Sequence, residues 1–322
     1  MIILAHVEPP ELIFQLRNFD VPLMVMIAGI SFLISYDENE RYHSFVWRRV
    51  SRLLFPVWLF LTGYFTVLFI VTPSNPDLDF RTIIGSYLLV DGIGYVWIIR
   101  VFILVSLVSP LIYLFHKKIR SDALFFTIII ATFLLYEAIR YLSLPYIDSG
   151  LWKAISLITH YVIPYTLIFT LGLRLKSLSL YNFSSLLLVS GSIFVLLGLY
   201  LYHSTGTLVP TQAMKYPPSM YYFSYAVFIS CILFKLSVTL AEHLKLSRVS
   251  PIISFCARNS IWVYLWHIPF IDIYNTTFLL KYVLVFSTAI AITKVQVTSV
   301  IYMAEKIQNG RYKKGLKSIL TG

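Results

Sequence analysis

The sequence predicts an all-α membrane protein, a polytopic bundle of transmembrane helices. Of its 322 residues, 58% are hydrophobic and only 13% are charged, and the mean hydropathy is +0.78. A soluble domain of this length would carry roughly 25% charged residues. Apolar segments of about 20 residues, the length that crosses a bilayer as a helix, recur along the whole chain. A single integral-membrane domain over residues 1–322 is therefore the expected organisation.

Nine apolar stretches each have the length and composition of a membrane-crossing helix, and a short stub precedes them. The stub, Met1–Val7, has too few residues to cross alone, so it is expected to be the end of a truncated first span, which makes about ten spans. The longest outer connection, 73–94, is expected to hold a short interfacial helix. The nine stretches are 19–36, 53–72, 95–115, 122–142, 152–173, 183–203, 219–240, 252–274 and 279–304.

Charge in the connections supports this arrangement. The net charge is +11, and 16 of the 26 basic residues lie on one side if the spans alternate. Basic loops face the cytoplasm and its anionic lipid, so the C-terminus is predicted to be cytoplasmic. The bilayer, rather than nucleic acid, is the partner that this charge indicates. The segments that carry the sixteen residues are 37–52, 116–121, 174–182, 241–251 and the tail after residue 304.

His6 is the first candidate for chemistry, because it lies where an apolar run meets an acidic, proline-terminated segment. An imidazole titrates near neutral pH and can take a proton from a hydroxyl group. Glu8, Glu11 or Asp20 would then be available to orient the ring. The pattern leaves a second interpretation open, in which His6 is an interfacial histidine with a satisfied ring and no catalytic role.

Paired arginines precede the second apolar stretch. Arg49 and Arg52 are three residues apart, so a helix places them on one face. Guanidinium groups bind phosphates with two parallel hydrogen bonds, which makes this pair a candidate phosphate site. The alternative is an anchor that contacts lipid headgroups on the cytoplasmic side.

Several other polar residues lie near the predicted outer ends of spans, and their pattern assigns them no single role. His267 and Asp272 form an HxxxxD spacing, which is interpreted as accidental, with packing as the expected role of both. His160, Arg100 and Lys215 would suit a hydroxylated substrate or simply extend to the interface. The sequence shows no phosphate-binding glycine loop, zinc-ligand cluster or GxSxG motif, so no metal is expected.

Four segments, in the order in which they occur along the chain, carry a resemblance to a known family. The order of the spans and the chain length also fit, so the resemblance covers essentially the whole chain. The chain resembles the acyltransferase-3 family of bacterial polytopic membrane O-acyltransferases. Lys215 opens a further segment, KYPPSMYY, that is similar to one branch of the family. The phenylalanine-rich family segment normally ends in Ser-Gly, whereas this chain has Ala28-Gly29. The four segments are Ile2–His6, Phe19–Gly29, Arg48–Pro56 and Asn259–Pro269.

The resemblance implies transfer of an acyl group, usually acetyl, from a cytoplasmic acyl-CoA to a sugar hydroxyl. The acceptor would be a cell-surface glycan or its lipid-linked precursor, and the location would be the bacterial inner membrane. His6 matches the catalytic histidine of the family. Arg49 and Arg52 match its cytoplasmic RxxR pair, which would hold the phosphates of CoA.

Further residues are expected at the site on the same basis. Arg48 would assist the two arginines at acyl-CoA, and Asp20, Trp97 and Arg100 would line the path of the substrate. Two other functions stay open at this stage. One is a transporter or flippase of lipid-linked sugars, although no internal repeat of the kind common in transporters is visible. The other is an inactive, truncated member of the family.

Overall fold

The computed structural model describes residues 1–90, 92–245 and 250–321, without the side chains of 241–245 and Arg311. The described chain is helical, and no β-strand occurs in it. Arg248, part of the predicted basic loop 241–251, lies outside the described residues. The helices are α1 Ile2–His6, α2 Glu11–Leu16, α3 Asp20–Ser35, α4 Tyr42–Val71, α5 Phe80–Tyr87, α6 Trp97–Lys118, α7 Asp122–Ser143, α8 Gly150–Leu175, α9 Leu180–Thr205, α10 Met220–Lys245, α11 Ser250–Arg258, α12 Ser260–His267, α13 Phe278–Glu305 and α14 Gly310–Leu320.

Within the described residues, eight helices are long and apolar enough to cross a membrane, rather than the predicted ten or so. The stub is a helix of only five residues, α1. The predicted span 252–274 is interrupted at Asn259, which leaves the helical conformation with φ −113° and ψ 26°. The Asn259 side chain donates to the carbonyl of Phe255 at 2.7 Å. Asparagine favours such local bonds, and this one non-helical residue divides the segment into α11 and α12.

Short polar residues begin several of the helices. The Asp79 carboxylate accepts a hydrogen bond from the backbone N–H of Arg81 and caps α5, which confirms the short helix predicted between 73 and 94. Ser121 caps α7 and Ser179 caps α9 in the same way. Each cap satisfies a backbone donor that the first turn of a helix leaves unpaired. These caps therefore fix where the long apolar segments start.

Large apolar side chains on the long helices are exposed, as expected for faces that contact lipid. On α9, Leu188 and Leu196 are 67% and 65% exposed, and on α4, Phe69 and Ile70 are 69% and 72% exposed. Soluble monomers rarely expose continuous apolar surface of this extent. The exposed faces, together with the family resemblance, identify a multi-pass membrane protein.

The chain divides into two compact units. The first contains Met1–Phe14, His43–Ile103 and Leu240–Gly322. Its core holds α1 against α12 and α13, through Ile3 and Val7 on one side and Val263, Val285 and Ala289 on the other. Val7 directly follows α1, and its side chain packs in the same cluster as that of Ile3. This packing fixes the end of α1, where His6 lies.

The second unit contains Gln15–Tyr42 and Leu104–Thr239. Its most extensive helix pair is α3 and α8, which meet at two glycines. A Cβ atom added to Gly29 would lie 2.2 Å from the carbonyl oxygen of Phe169. One added to Gly172 would lie 2.1 Å from the carbonyl oxygen of Met26. Small residues let membrane helices approach this closely, so the glycine of the phenylalanine-rich segment has a packing role here.

Substitution of either glycine is expected to destabilise the second unit. Gly29→Ala and Gly172→Ala each force the two backbones apart, and overpacking of this kind costs roughly 1–3 kcal/mol. Gly63→Ala in α4 is the matched control, because a Cβ there meets no atom within 4 Å. Thermal melting in detergent should therefore fall for the first two variants and stay the same or rise for the third. Wild-type melting of Gly29→Ala would contradict the close approach.

Candidate active site

His6 lies at the C-terminal end of α1 and contacts two aromatic rings. Its ring centroid is 4.8 Å from that of Tyr95, edge to face, and 5.3 Å from that of His267. All three residues belong to the first unit. The hydroxyl of Tyr264 donates to the backbone carbonyl of Tyr95, so α12 holds both ring partners of His6.

The second histidine is the more deeply buried of the pair. His267 is 0% exposed, at the last position of α12. Its Nδ1 atom lies at the backbone carbonyl of Tyr264. Because a carbonyl oxygen only accepts, Nδ1 carries the proton, and Nε2 is then an acceptor in the neutral ring. Asp272, which follows His267 at the HxxxxD spacing, lines an apolar groove beside Trp266.

One residue expected to orient His6 has a different partner. Glu8 accepts a hydrogen bond from Lys281 of α13 at 3.2 Å. The Lys281 side chain is 8% exposed and that of Glu8 is 82% exposed. An ion pair with one exposed member is weak, so its main effect is to give the buried ammonium group a partner close to the end of α1.

Trp97 and Arg100 lie at the start of α6, next to the segment that carries Tyr95. Arg100 donates from a guanidinium nitrogen to the carbonyl of Leu89 at 3.0 Å. Leu89 has a φ of +59°, which is uncommon for a residue with a side chain. Arg100 thus stabilises the turn before Tyr95. Burial, with Asp272 nearby, raises the pKa of Tyr95, so this hydroxyl stays protonated near neutral pH.

A cavity of about 980 Å³ in the first unit is lined by three basic side chains. Arg52 comes from α4, Arg258 from the end of α11 and Lys317 from α14. The rest of the lining is partly apolar and includes hydroxyl groups from three further residues, which with the three cations suit phosphate groups. These are Ser250, Ser254 and Thr321.

The other two arginines of the predicted phosphate site lie against an aromatic ring. The guanidinium carbons of Arg48 and Arg49 are 5.9 and 5.6 Å from the centroid of the buried Phe45 ring. These are the i+3 and i+4 positions from Phe45 on α4, so helix geometry brings them together. Arg52 is thus the member of the RxxR pair that the structure places in the basic cavity, together with two residues that the sequence did not predict.

Asp20 lies in the second unit, in a buried polar cluster. Its carboxylate accepts from Arg17 at 2.8 Å and lies 3.9 Å from the Lys215 ammonium nitrogen. The three side chains are 5% exposed or less. Nearby, Asn18 donates to the hydroxyl of Thr211 at 3.0 Å. The cluster joins the start of α3 to the segment before α10. The predicted role of Asp20 in substrate binding stays a prediction.

The burial of Lys215 is expected to make the stability of the protein depend on pH. Burial lowers the pKa of Lys215 from 10.5 to about 8, against the opposing effect of Asp20. Between those two values the unfolded chain binds the proton and the folded chain does not, so stability rises with pH over this window. One pKa unit corresponds to 1.36 kcal/mol, so the free energy of unfolding is expected to rise by about 3 kcal/mol across this pH window.

Lys215→Met is expected to remove this rise in the free energy of unfolding. Melting temperatures of the two proteins in detergent, measured from pH 7 to 10.5, would show it. Lys118→Met, which changes an exposed lysine, is the control and should keep the wild-type slope. The same slope in Lys215→Met and wild type would show that Lys215 titrates normally.

The structure adds residues that sequence reasoning missed. His267 and Tyr95 approach His6, and Arg258 and Lys317 approach Arg52. No local spacing joins these residues, since each pair is far apart in the chain. The Asn259–Pro269 resemblance did include His267 but gave it no role. Among the described residues, no group of three or more His, Cys, Asp or Glu is placed to hold a metal ion, and the expectation of no metal stays a prediction.

One of three comparisons with known proteins agrees with the resemblance. No curated protein and no solved structure matched the chain. A family profile described as an acyltransferase domain matches residues 1–301. That match covers most of the 322 residues and includes His6, His267 and Arg52. The chain therefore belongs to the acyltransferase-3 family and is a membrane acyltransferase.

Proposed function

We propose that this protein is an O-acetyltransferase that moves an acetyl group from acetyl-CoA, or another acyl group from its CoA thioester, to a hydroxyl group of a cell-surface glycan or lipid-linked sugar. One observation carries the proposal: a single compact unit contains both His6, which contacts the buried His267, and a basic cavity. The cavity is lined by Arg52, Arg258 and Lys317. His6 supplies a base and the cavity suits the phosphates of CoA.

The roles follow from the chemistry of each group. His6 takes the proton of the acceptor hydroxyl, and the resulting oxygen nucleophile attacks the thioester carbonyl. The carbon–sulfur bond breaks, and the CoA thiolate takes up the proton. Arg52, Arg258 and Lys317 bind donor phosphates through charge-assisted hydrogen bonds, with Arg48 and Arg49 beside them on α4. Arg100 holds the turn before Tyr95, where the acceptor would enter, and Trp97 at the start of α6 would line the same path.

The proposed location is the bacterial inner membrane with a cytoplasmic C-terminus. Arg52 ends the basic segment 37–52, and Lys317 belongs to the C-terminal helix α14. Both line the same cavity, which supports placing these two segments on one side of the membrane. Basic segments favour the cytoplasmic side, where acyl-CoA is available. Lysine accessibility at Lys317 in sealed vesicles of known orientation would test this assignment.

Labelled acetyl transfer tests the proposed function. Purified protein in proteoliposomes would receive [¹⁴C]acetyl-CoA and a glycolipid fraction from the source membrane. Recovery of label in a base-labile ester on the sugar is the expected result. In parallel, NMR of surface glycans should show O-acetyl signals that vanish on deletion of the gene and return with it. Transport of the lipid-linked sugar without modification would instead support a flippase, and unchanged glycans in every strain would contradict the enzyme.

A further inference from the structure

One nitrogen atom next to the candidate base has no partner. His267 Nε2 is buried and makes no hydrogen bond within the described residues. The bond from Nδ1 to the Tyr264 carbonyl leaves Nε2 as an acceptor with a free lone pair. A buried acceptor without a donor costs about 1–3 kcal/mol. Such a cost in a fully buried side chain calls for a donor that reaches Nε2 in the working state.

His6 is the donor that the geometry supplies. The centroids of the two rings are 5.3 Å apart and the rings are inclined by 36°. A hydrogen bond between ring nitrogens spans about 3 Å, so at this separation a small rotation of His6 brings one of its nitrogens to Nε2. Tyr95 packs on both rings, at 4.8 Å from His6 and 6.0 Å from His267. The two imidazoles are thus held side by side at the end of α1.

We propose that His267 is a positioning residue for the reaction, and that its Nε2 atom accepts a hydrogen bond from the ring N–H of His6. This inference rests on the proposed function, in which His6 is the base. The bond leaves the second His6 nitrogen unprotonated and directs it to the acceptor hydroxyl. His267 has the orienting role that a carboxylate has beside many catalytic histidines.

Protons balance through the cycle. The acceptor hydroxyl gives its proton to the free nitrogen of His6, which becomes an imidazolium. The imidazolium is stabilised because its other N–H still donates to His267 Nε2. The new carbon–oxygen bond forms, the carbon–sulfur bond breaks, and His6 returns its proton to the CoA thiolate. His267 stays neutral throughout, since its Nδ1–H remains on the Tyr264 carbonyl.

Removal of the His267 Nε2 atom should lower the pKa of His6, because the hydrogen bond from His6 to that atom favours the charged form of His6. Among the described residues, the other titratable groups around the histidine pair include Tyr95, Tyr264 and the Glu8–Lys281 pair, with Asp272 near Tyr95 and with Tyr274 and Tyr282 at the edge of the same core. A change at position 267 leaves each of these side chains in place, and His267→Phe keeps a flat ring against Tyr95 and Tyr264. A shift in the titration of His6 would therefore report on His267 itself.

Two variants separate positioning from packing. His267→Phe keeps a flat ring without an acceptor, and His267→Gln places an amide oxygen near the position of Nε2. We expect His267→Phe to lower kcat by about 10–100-fold, the usual effect of losing an orienting partner, with an unchanged KM for acetyl-CoA. The acid limb of kcat/KM should move to lower pH. His267→Gln should recover most of the rate and the wild-type limb. A packing role alone would lower yield and melting temperature without moving the limb.

A measurement without turnover keeps this inference distinct from the proposed function. Protein labelled with ¹⁵N-histidine would be titrated by NMR, with His6 and His267 assigned from the His6→Ala and His267→Gln spectra. The expected result is a protonated Nδ1 and an unprotonated Nε2 in His267, and a lower pKa of His6 in His267→Phe. A protonated Nε2 in the wild type, or an unchanged His6 titration, would overturn the proposal. If His267→Phe does not fold, a protonated Nε2 in the wild type would still overturn the proposal.

The two failures look different. If the pKa of His6 is lower in His267→Phe than in the wild type, but the wild type transfers no acyl group, the hydrogen bond between the two histidines is supported and the enzyme assignment is contradicted. Normal transfer, with loss of activity in His6→Ala but not in His267→Phe, would retain the enzyme and remove the role of His267.

Discussion

His6→Ala is expected to abolish measurable acyl transfer while the protein still folds. General-base catalysis contributes roughly 10²–10⁴-fold to rate, and His267 does not replace His6, because its side chain is fully buried. The loss should appear in kcat, with the KM for acetyl-CoA little changed, since the basic cavity is untouched. Initial rates of labelled acetyl transfer over a range of acetyl-CoA concentrations would separate the two constants.

The matched control for this variant is His203→Ala, which changes an exposed histidine near the end of α9. It should keep the wild-type rate. Elution as a single detergent-solubilised species and an unchanged melting temperature would show that His6→Ala retains the fold. Acyl transfer within a few-fold of the wild type in His6→Ala would remove His6 from the mechanism.

Long apolar helices could be predicted from the sequence because length and hydropathy suffice to identify them. The break at Asn259 could not, since one asparagine in an otherwise apolar stretch barely changes the hydropathy. The structure shows the local hydrogen bond to Phe255 that ends α11. That break matters for the site, because it makes α12 a separate short helix that places His267 against α1.

The candidate site was predictable only in part, for a related reason. His6 was identified from its position at an apolar boundary and from the family resemblance. Its contact with His267 joins residues 261 positions apart and depends on how α1 packs on α12 through Ile3 and Val263. Local spacing carries no information about such a contact. The HxxxxD spacing does not indicate the contact either, since Asp272 lies in an apolar groove.

The same limit applies to the arginines. Spacing of three residues placed Arg49 and Arg52 on one face of a helix, but it could not show what that face meets. In the structure, Arg49 lies at the ring of Phe45, and Arg52 joins Arg258 and Lys317 at the basic cavity. The cavity draws on three helices that are distant in the chain. A positive-inside anchor would need no such convergence, so the convergence favours a ligand with several negative charges.

Arg52→Ala combined with Arg258→Ala is expected to raise the KM for acetyl-CoA by about 100-fold or more with little change in kcat. Hydrogen bonds to charged groups contribute about 1.5–3 kcal/mol each, and each 1.4 kcal/mol is a factor of ten in affinity. Kinetics with acetyl-CoA, and direct binding of CoA by calorimetry, would measure the effect. Lys317→Ala should add to it, because Lys317 lines the same cavity.

A donor without phosphates makes this test specific to the role of the arginines. With S-acetyl-N-acetylcysteamine, a thioester that lacks the nucleotide, the double variant and the wild type should react equally, since neither can gain from phosphate contacts. Arg120→Ala removes one exposed positive charge from another predicted cytoplasmic segment and is the control for general surface charge. It should leave both donors unaffected. An unchanged KM for acetyl-CoA in the double variant would return Arg52 and Arg258 to the role of lipid-headgroup anchors and would place the donor elsewhere.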